Sequence, residues 1–515
     1  MSRYYQPFLR AADTFWRMNL PISREDNWIV AEAMHEDVRV LIRTLTVANA
    51  IRRETPARLL VLTGTDDAWR DAMFKNFDQA RIREIATAYG ADEIIDVHEE
   101  TAPAISELTD RYARATACRL DLLPRLPDGY DLGPRRAKAG ALAAHYAALF
   151  RDRRIIGLVT SHVDYDQWGL AAEAAVEHEI PLIHVQLTGS LKAYALFPET
   201  RQGEPTIRAE LTRQIGALFE QDVWSHRERL RPGVELVAWR ARENLGRPAW
   251  WRAGSETSFG LRTDTDLRQF AGYTARRLGL DPNRPTVTVF NHAVSDALGT
   301  NREAFPDLAA WLEETAHHAR HTPEVNWLFL EHPKQRHYDS TGHFAALAAR
   351  AEQPGVVFRR SEELSKNALW SLTDLGLTVR GSVSNELPAF GIPVIQAGWS
   401  EWSGCGMSTV AAYESDYWKE LGSSVERLCL GADMITAQQV ERARLWLWFY
   451  RSAADVPTPF VPQWEIWPED LLFHTLETTM RYVETDHDPL FTSVRRMWHR
   501  REPCLTRFDL REAGR

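Results

Sequence analysis

Two short segments of this 515-residue chain carry residue types suited to holding a phosphorylated ligand. One is Glu331-His332-Pro333-Lys334; the other runs Arg380-Gly381-Ser382-Val383-Ser384-Asn385-Glu386. Imidazole and ammonium groups donate to phosphate oxygens. Gly381 permits a tight turn, and Ser382 or Ser384 can cap a short helix whose free N–H groups favour an anion. Glu386 falls about a turn further on, where a carboxylate accepts from sugar hydroxyls. An ordinary strand–helix–strand unit with a capping serine fits the same residues. A third cluster, Ser161-His162-Val163-Asp164-Tyr165-Asp166, offers an imidazole beside two carboxylates. Such a histidine can titrate near neutrality and act as a general base for a hydroxyl. Equally, Asp164 and Asp166 can cap the next helix while His162 makes one buried hydrogen bond.

Each cluster follows an apolar run. Residues 155–160, 325–330 and 375–379 read as buried strands, and ligands of open α/β sheets bind at strand carboxyl ends. Further strands are expected at 58–62, 93–97, 180–185, 286–290, 355–358 and 393–395, with helices between them. That alternation predicts parallel sheets. Residues 1–55 read as helical, with Asp26-Asn27-Trp28 opening a long helix. Gly189 to Tyr194 reads as a segment able to close over a ligand, 244–260 as a loop facing the cleft, and Gly398 to Gly404 as a turn able to sit over a sugar. Asp281 to Pro285 reads as a linker into a second domain.

The length calls for two or three domains. Hydrophobic content of 44% with 26% charged residues is that of a globular chain, and a net charge of −10 argues against nucleic acid or an anionic membrane as main partner. No apolar run approaches the roughly 20 residues of a membrane helix, and the N-terminus has no signal-peptide h-region, so a cytoplasmic location is expected. The four cysteines show no metal or disulfide spacing. No DxD motif stands at a strand end of the second half, and no metal or cofactor is expected.

Glu386, followed by Gly391-Ile392-Pro393-Val394, resembles the nucleotide-sugar motif in the second domain of GT-B glycosyltransferases. His332-Pro333 resembles the HP motif of bacterial capsule-synthesis glycosyltransferases and GT-B sialyltransferases. The Ser161-His162 region resembles the acceptor side of the capsule family. Over roughly residues 155–420 the chain is similar to the capsule polysaccharide biosynthesis family, which includes Kdo transferases. The resemblance implies an α/β, GT-B-like fold: two Rossmann-like domains with parallel sheets facing across a cleft, and C-terminal helices crossing back. The domains would span 1–280 and 286–435, with 436–515 packing on the first.

By the same resemblance, His332, Pro333, Lys334, Gly381, Ser382, Ser384 and Glu386 bind the donor, with His292 facing the cleft and Arg359-Arg360-Ser361 contacting its base or phosphate. A local cap explains His292 and Asp296 equally well. His162, Asp164 and Asp166 form the catalytic set. The activity implied is transfer of a sugar from a nucleotide-activated donor, CMP-linked by slight preference, to a glycan or glycolipid acceptor on the bacterial surface, with peripheral contact to a membrane-bound acceptor. The rival readings are a UDP-sugar 2-epimerase, a CDP-polyol phosphotransferase of the teichoic-acid type, and a non-catalytic glycan-binding protein.

Overall fold

The computed structural model describes residues 2–22, 26–98, 104–187, 190–230, 264–461 and 468–513. They form two six-stranded sheets. The first contains β1 (Asn27–Ala33), β2 (Arg58–Thr63), β3 (Glu93–Asp96), β4 (Arg154–Thr160), β5 (Leu182–Gln186) and β6 (Lys192–Leu196), in the order β3-β2-β1-β4-β5-β6. All pairs are parallel except β5 with β6. The second contains β7 (Thr286–Phe290), β8 (Asn326–Glu331), β9 (Val356–Arg360), β10 (Leu375–Thr378), β11 (Val394–Gln396) and β12 (Thr409–Val410). Its order is β12-β11-β10-β7-β8-β9, parallel throughout. In both sheets the order reverses beside the first strand, the doubly wound arrangement of dinucleotide-binding folds. The architecture is two α/β domains of GT-B-like form.

The central strands are apolar on both faces because helices cover both. On one face of the second sheet Trp327 and Phe329 pack with Trp311 and Tyr417. On the other, Leu328, Leu330 and Val357 pack with Ala275, Leu278 and Leu280. The helix Asp264–Leu278 therefore belongs to the layer of the second sheet, ahead of the 281–285 segment.

C-terminal helices return to the first domain. The helix Glu469–Tyr482 lies on Tyr5–Asn19, with Phe473 and Tyr5 rings 5.2 Å apart. The helix Pro489–Arg500 lies on Val38–Glu54, where Trp498 Nε1 donates to Thr55 Oγ1 at 2.9 Å.

The carboxyl ends of the two sheets meet through the segment after β4 and the loop after β7. A further core joins the domains: the helix Ile207–Leu218, the turn 402–407 and the helix Ala437–Trp448 share buried Ile215, Trp402 and Trp446. The backbones pack so closely that a Cβ on Gly216 would lie 2.6 Å from the Gly404 carbonyl oxygen.

Two expectations are corrected. Residues 27–33 form β1, not the start of a helix; all seven are buried at the centre of the sheet, and a run buried on both faces lacks the alternation that marks a strand. Arg58–Thr63 is accordingly the second strand. Lys192–Leu196 is an antiparallel edge strand paired to β5, so this part of the 189–194 segment does not close over a ligand. Gly189 and residues 244–260 lie outside the described residues. Among the described residues no helix is long and apolar enough to cross a membrane.

Candidate functional site

The carboxyl ends of β7, β8, β9 and β10 open into a cavity of about 340 Å³. It lies where the strand order reverses between β10 and β7, the position at which doubly wound sheets bind ligands. Its volume is that of a small-molecule site.

Three strand ends supply the polar floor. β7 runs out into Asn291 and His292, β8 into His332 and Pro333, and β10 into Arg380, Gly381 and Ser382. The His292 and His332 rings lie 6.1 Å apart, inclined by 19°. The Lys334 N–H donates to His332 Nδ1 at 3.2 Å, which assigns the His332 ring proton to Nε2 as a donor. His292 Nδ1 donates to the Ala293 carbonyl at 3.3 Å, which leaves Nε2 bare as an acceptor. Burial pushes His332 down to about 4. It pushes His292 well below the usual histidine range too, helped by Arg380 and His332. Both imidazoles are neutral at pH 7, one offering a proton and the other a lone pair.

Arg380 is a buried member of this floor. It pairs with Glu303 and donates to the carbonyls of Asp296 at 2.6 Å and Ala297 at 3.1 Å. Lys366 and Glu386 line the same cavity, their charges 3.3 Å apart. Phe290, Leu330, Leu364, Leu369 and Trp370 give it an apolar wall. An anionic group at the strand ends and a flat apolar group against that wall fit this distribution.

Of the donor-binding residues read from the sequence, His292, His332, Pro333, Gly381, Ser382 and Glu386 line the cavity. Four do not. Ser384 is fully buried; its hydroxyl donates to the Gly381 carbonyl at 2.8 Å and accepts from Trp402 Nε1 at 2.9 Å. Lys334 contributes its backbone N–H to His332, and its side chain is off the wall. Arg359 turns to Glu352 at 2.9 Å, and Arg360 is exposed, 4.0 Å from Glu331. The expected serine cap is also absent: Ser382 makes no side-chain cap bond, and the helix Val383–Glu386 is a single turn.

The catalytic set read from the sequence is not assembled at the cavity. Asp164 is buried, and although burial pushes its carboxyl up, Arg208 at 3.2 Å and Arg302 at 3.7 Å hold it well below the usual range. It is an ionised partner of two arginines, not a base. Asp166 is enclosed by Arg135 and by Trp69 Nε1 at 3.4 Å, with no exposure, and burial pushes its carboxyl up. His162 packs 5.2 Å from Trp168, is pushed down by burial, and does not reach the wall.

The residues that sequence reasoning left out of the donor site are Arg380, Lys366 and Trp370. Arg380 sits two residues past β10, so its place at a strand end was the available signal. Lys366 and Trp370 lie on the helix Lys366–Leu372, where nothing in the local pattern marks a site. Among the described residues no group of three or more His, Cys, Asp or Glu side chains is placed to hold a metal ion.

No family model matches the chain, and no curated protein matches it in sequence. Among solved structures it is similar to UDP-GlcNAc 2-epimerase from Neisseria meningitidis, with 10% identity, a TM-score of 0.24, and coverage of 81% of this chain and 97% of that one. ADP-heptose LPS heptosyltransferase II from E. coli gives 12% identity, a TM-score of 0.24, and coverage of 79% and 99%. KpsC, a β-Kdo 2,4 transferase from Thermosulfurimonas dismutans, gives 13% identity, a TM-score of 0.26, and coverage of 58% and 85%.

Proposed function

We propose that this chain is a glycosyltransferase that moves a sugar from a nucleotide-activated donor to a hydroxyl of a bacterial surface glycan or glycolipid, acting in the cytoplasm and meeting any membrane-bound acceptor at the periphery. The observation that carries the reading is the cavity at the switch point, whose strand ends bring Arg380, the His332 Nε2–H and the Gly381-Ser382 turn to one floor. When the bond to the donor phosphate breaks, negative charge builds on the leaving oxygen. Donors already fixed in place stabilise that charge without reorganising, usually the largest catalytic term. In this reading the phosphate charge is met by Arg380 and His332 rather than by a bound cation. The apolar wall with Trp370 takes the nucleobase, and a CMP-linked sugar is the first donor to try.

A second reading, a UDP-sugar 2-epimerase, is favoured by one observation. Every residue lining the cavity comes from the second domain, between Phe290 and Glu386, and a reaction on a single substrate needs no acceptor wall.

The test is a thermal-shift series with CMP-, UDP-, GDP- and CDP-linked sugars, followed by chromatography of the stabilising donor after incubation with glycan acceptors. Specific binding raises the unfolding midpoint by mass action. Release of free nucleotide supports transfer, and an epimeric sugar with the nucleotide still attached supports the second reading. Stabilisation by none of the donors sinks both.

A further inference from the structure

A strained corner joins the two domains beside the cavity. Ala297, in the loop after β7, has φ 51°. A non-glycine residue in the left-handed region is uncommon and costs on the order of 1 kcal/mol or more, so neighbouring groups must hold it there. Its N–H donates to the Tyr165 hydroxyl at 2.8 Å; its carbonyl accepts from Arg380 at 3.1 Å and Arg302 at 3.2 Å. Tyr165, in the first domain just past β4, is itself left-handed at φ 60°. Its hydroxyl donates to the Ser295 carbonyl at 3.0 Å, and its N–H to the Leu298 carbonyl at 3.2 Å.

One phenol thus clamps the residues on either side of Asp296, and Arg380 holds the Asp296 carbonyl at 2.6 Å. The backbone of Asp296 is fixed from both domains. Asp296 lines the cavity, and among the described residues its carboxylate accepts no hydrogen bond and forms no ion pair. The other carboxylates on the wall are placed differently. Glu386 is taken by Lys366 and Arg451, and Glu331 and Glu362 stand at the β8 and β9 end.

We propose that Asp296 is the general base of the transfer and that Tyr165 is the positioning residue that aims it. The proposal rests on the glycosyltransferase reading above. The acceptor O–H gives its proton to the Asp296 carboxylate, and the acceptor oxygen bonds to the anomeric carbon. The bond from that carbon to the phosphate oxygen breaks, its electron pair leaves with the nucleotide, and Arg380 and the His332 Nε2–H hold the charge. Asp296 then returns the proton to solvent. The groups whose titration Asp296 influences are His332 past β8, His162 past β4, Tyr338 in the turn beyond His332, and Tyr165.

Nucleotide release from CMP- and UDP-linked sugars, with water as acceptor, is measured against pH for the wild-type chain, Asp296→Asn and Tyr165→Phe, alongside the thermal shift each donor produces. Asp296→Asn is expected to keep the donor-induced shift, lose about 100-fold or more in turnover, and lose the fall in rate on the acid side. Tyr165→Phe keeps the ring against Trp69 and removes only the hydroxyl. Its kcat is expected to fall about tenfold at unchanged donor KM, with the acid-side inflection displaced. If Asp296→Asn does not fold, Asp296→Glu retains the carboxylate and is expected to keep the inflection at reduced kcat. Wild-type turnover in Asp296→Asn, or an unchanged acid limb, overturns the base; an unchanged kcat in Tyr165→Phe overturns the positioning role. A wild-type chain that no donor stabilises overturns the transferase reading itself, and the missing thermal shift tells that failure apart.

Discussion

Arg451, carried by the segment that leads back to the first domain, donates to Glu386 on the wall of the second-domain cavity at 3.2 Å. Both side chains are buried, 6% and 4% exposed, and Lys366 approaches the other carboxylate oxygen at 3.3 Å. Glu386 is therefore held between two cations, and the C-terminal strap takes part in shaping the cavity.

Removing one partner of a buried ion pair strands the other charge. Arg451→Met is expected to destabilise the chain by about 3 kcal/mol in urea denaturation. Arg451→Met combined with Glu386→Gln should recover part of that loss, since it removes the buried carboxylate that Arg451→Met leaves with Lys366, at 3.3 Å, as its one remaining cation among the described residues. A double variant no more stable than the single one would mean that the two side chains are not coupled.

His332 carries its proton on Nε2 because the Lys334 N–H occupies Nδ1. A side-chain amide can replace that donor and a methyl group cannot. His332→Ala is expected to weaken binding of the stabilising nucleotide about tenfold or more, the worth of a hydrogen bond to a charged group, and His332→Gln to restore most of it. Titration calorimetry with the nucleotide alone reads both. Equal affinities in wild type and His332→Ala would remove His332 from the phosphate site.

The strand ends were legible in sequence because an apolar run closed by a polar turn is a local pattern: His332, Gly381 and Ser382 stand where that pattern puts them. The fate of the polar groups was not legible, because it depends on partners distant in the chain. Asp164 meets Arg208 and Arg302; Ser384 meets Trp402; Glu386 meets Arg451. A carboxylate with an arginine beside it and one without look identical in a sequence. β1 was hidden for a different reason: a strand covered on both faces has no polar face to betray its period.

Several histidines are held neutral by burial. Burial, with His162 nearby, brings His35 down to about 4; burial, with Arg208, brings His184 to about 3; and burial brings His332 to about 4. An unfolded histidine takes up its proton near 6.5, and these take it up only well below that. Between those values the unfolded state binds more protons, so stability rises with pH and is lost on acidification from about 6.5 towards 4. Each such histidine adds a slope of about 1.4 kcal/mol per pH unit in that window. His184→Gln is expected to flatten the profile by about that slope. Denaturant midpoints compared between neutral and mildly acid pH measure it, and an unaltered slope would show that His184 does not titrate with unfolding.

The Gly216–Gly404 contact welds the helix Ile207–Leu218 to the turn after β11. A methyl group on Gly216 would meet the Gly404 carbonyl oxygen at 2.6 Å, and one on Gly404 would meet the Thr212 carbonyl oxygen at 2.7 Å. Both obstacles are backbone, so neither can swing aside. Gly216→Ala is expected to cost about 1–3 kcal/mol, as overpacking does, and to loosen the domain seam where Thr212 Oγ1 donates to the Ser400 carbonyl at 3.1 Å. Limited proteolysis and melting temperature report both effects. An alanine variant as stable as the wild type would mean that the two domains move apart more freely than their packing implies.

Asp164 and Asp296 are both aspartates at the seam between the domains, and they separate a structural charge from a reactive one. Asp164 is 3% exposed and paired with two arginines, which keep it ionised, and it does not line the cavity. Asp164→Asn leaves buried Arg302 with only the longer contact to Glu303 at 3.9 Å, while Arg208 keeps Glu401 at 3.1 Å. The expected result is a loss of about 3 kcal/mol in stability, with turnover per folded molecule and its pH profile unchanged. Asp296→Asn should do the reverse, since the asparagine keeps the loop's backbone bonds and removes only the proton acceptor. Stability from urea titration and rate from nucleotide release, measured on both variants, place each residue on one axis or the other. If Asp164→Asn abolished turnover in a fully folded chain, the catalytic centre would lie on the first-domain side of the seam, and Asp296 would be the structural member of the pair.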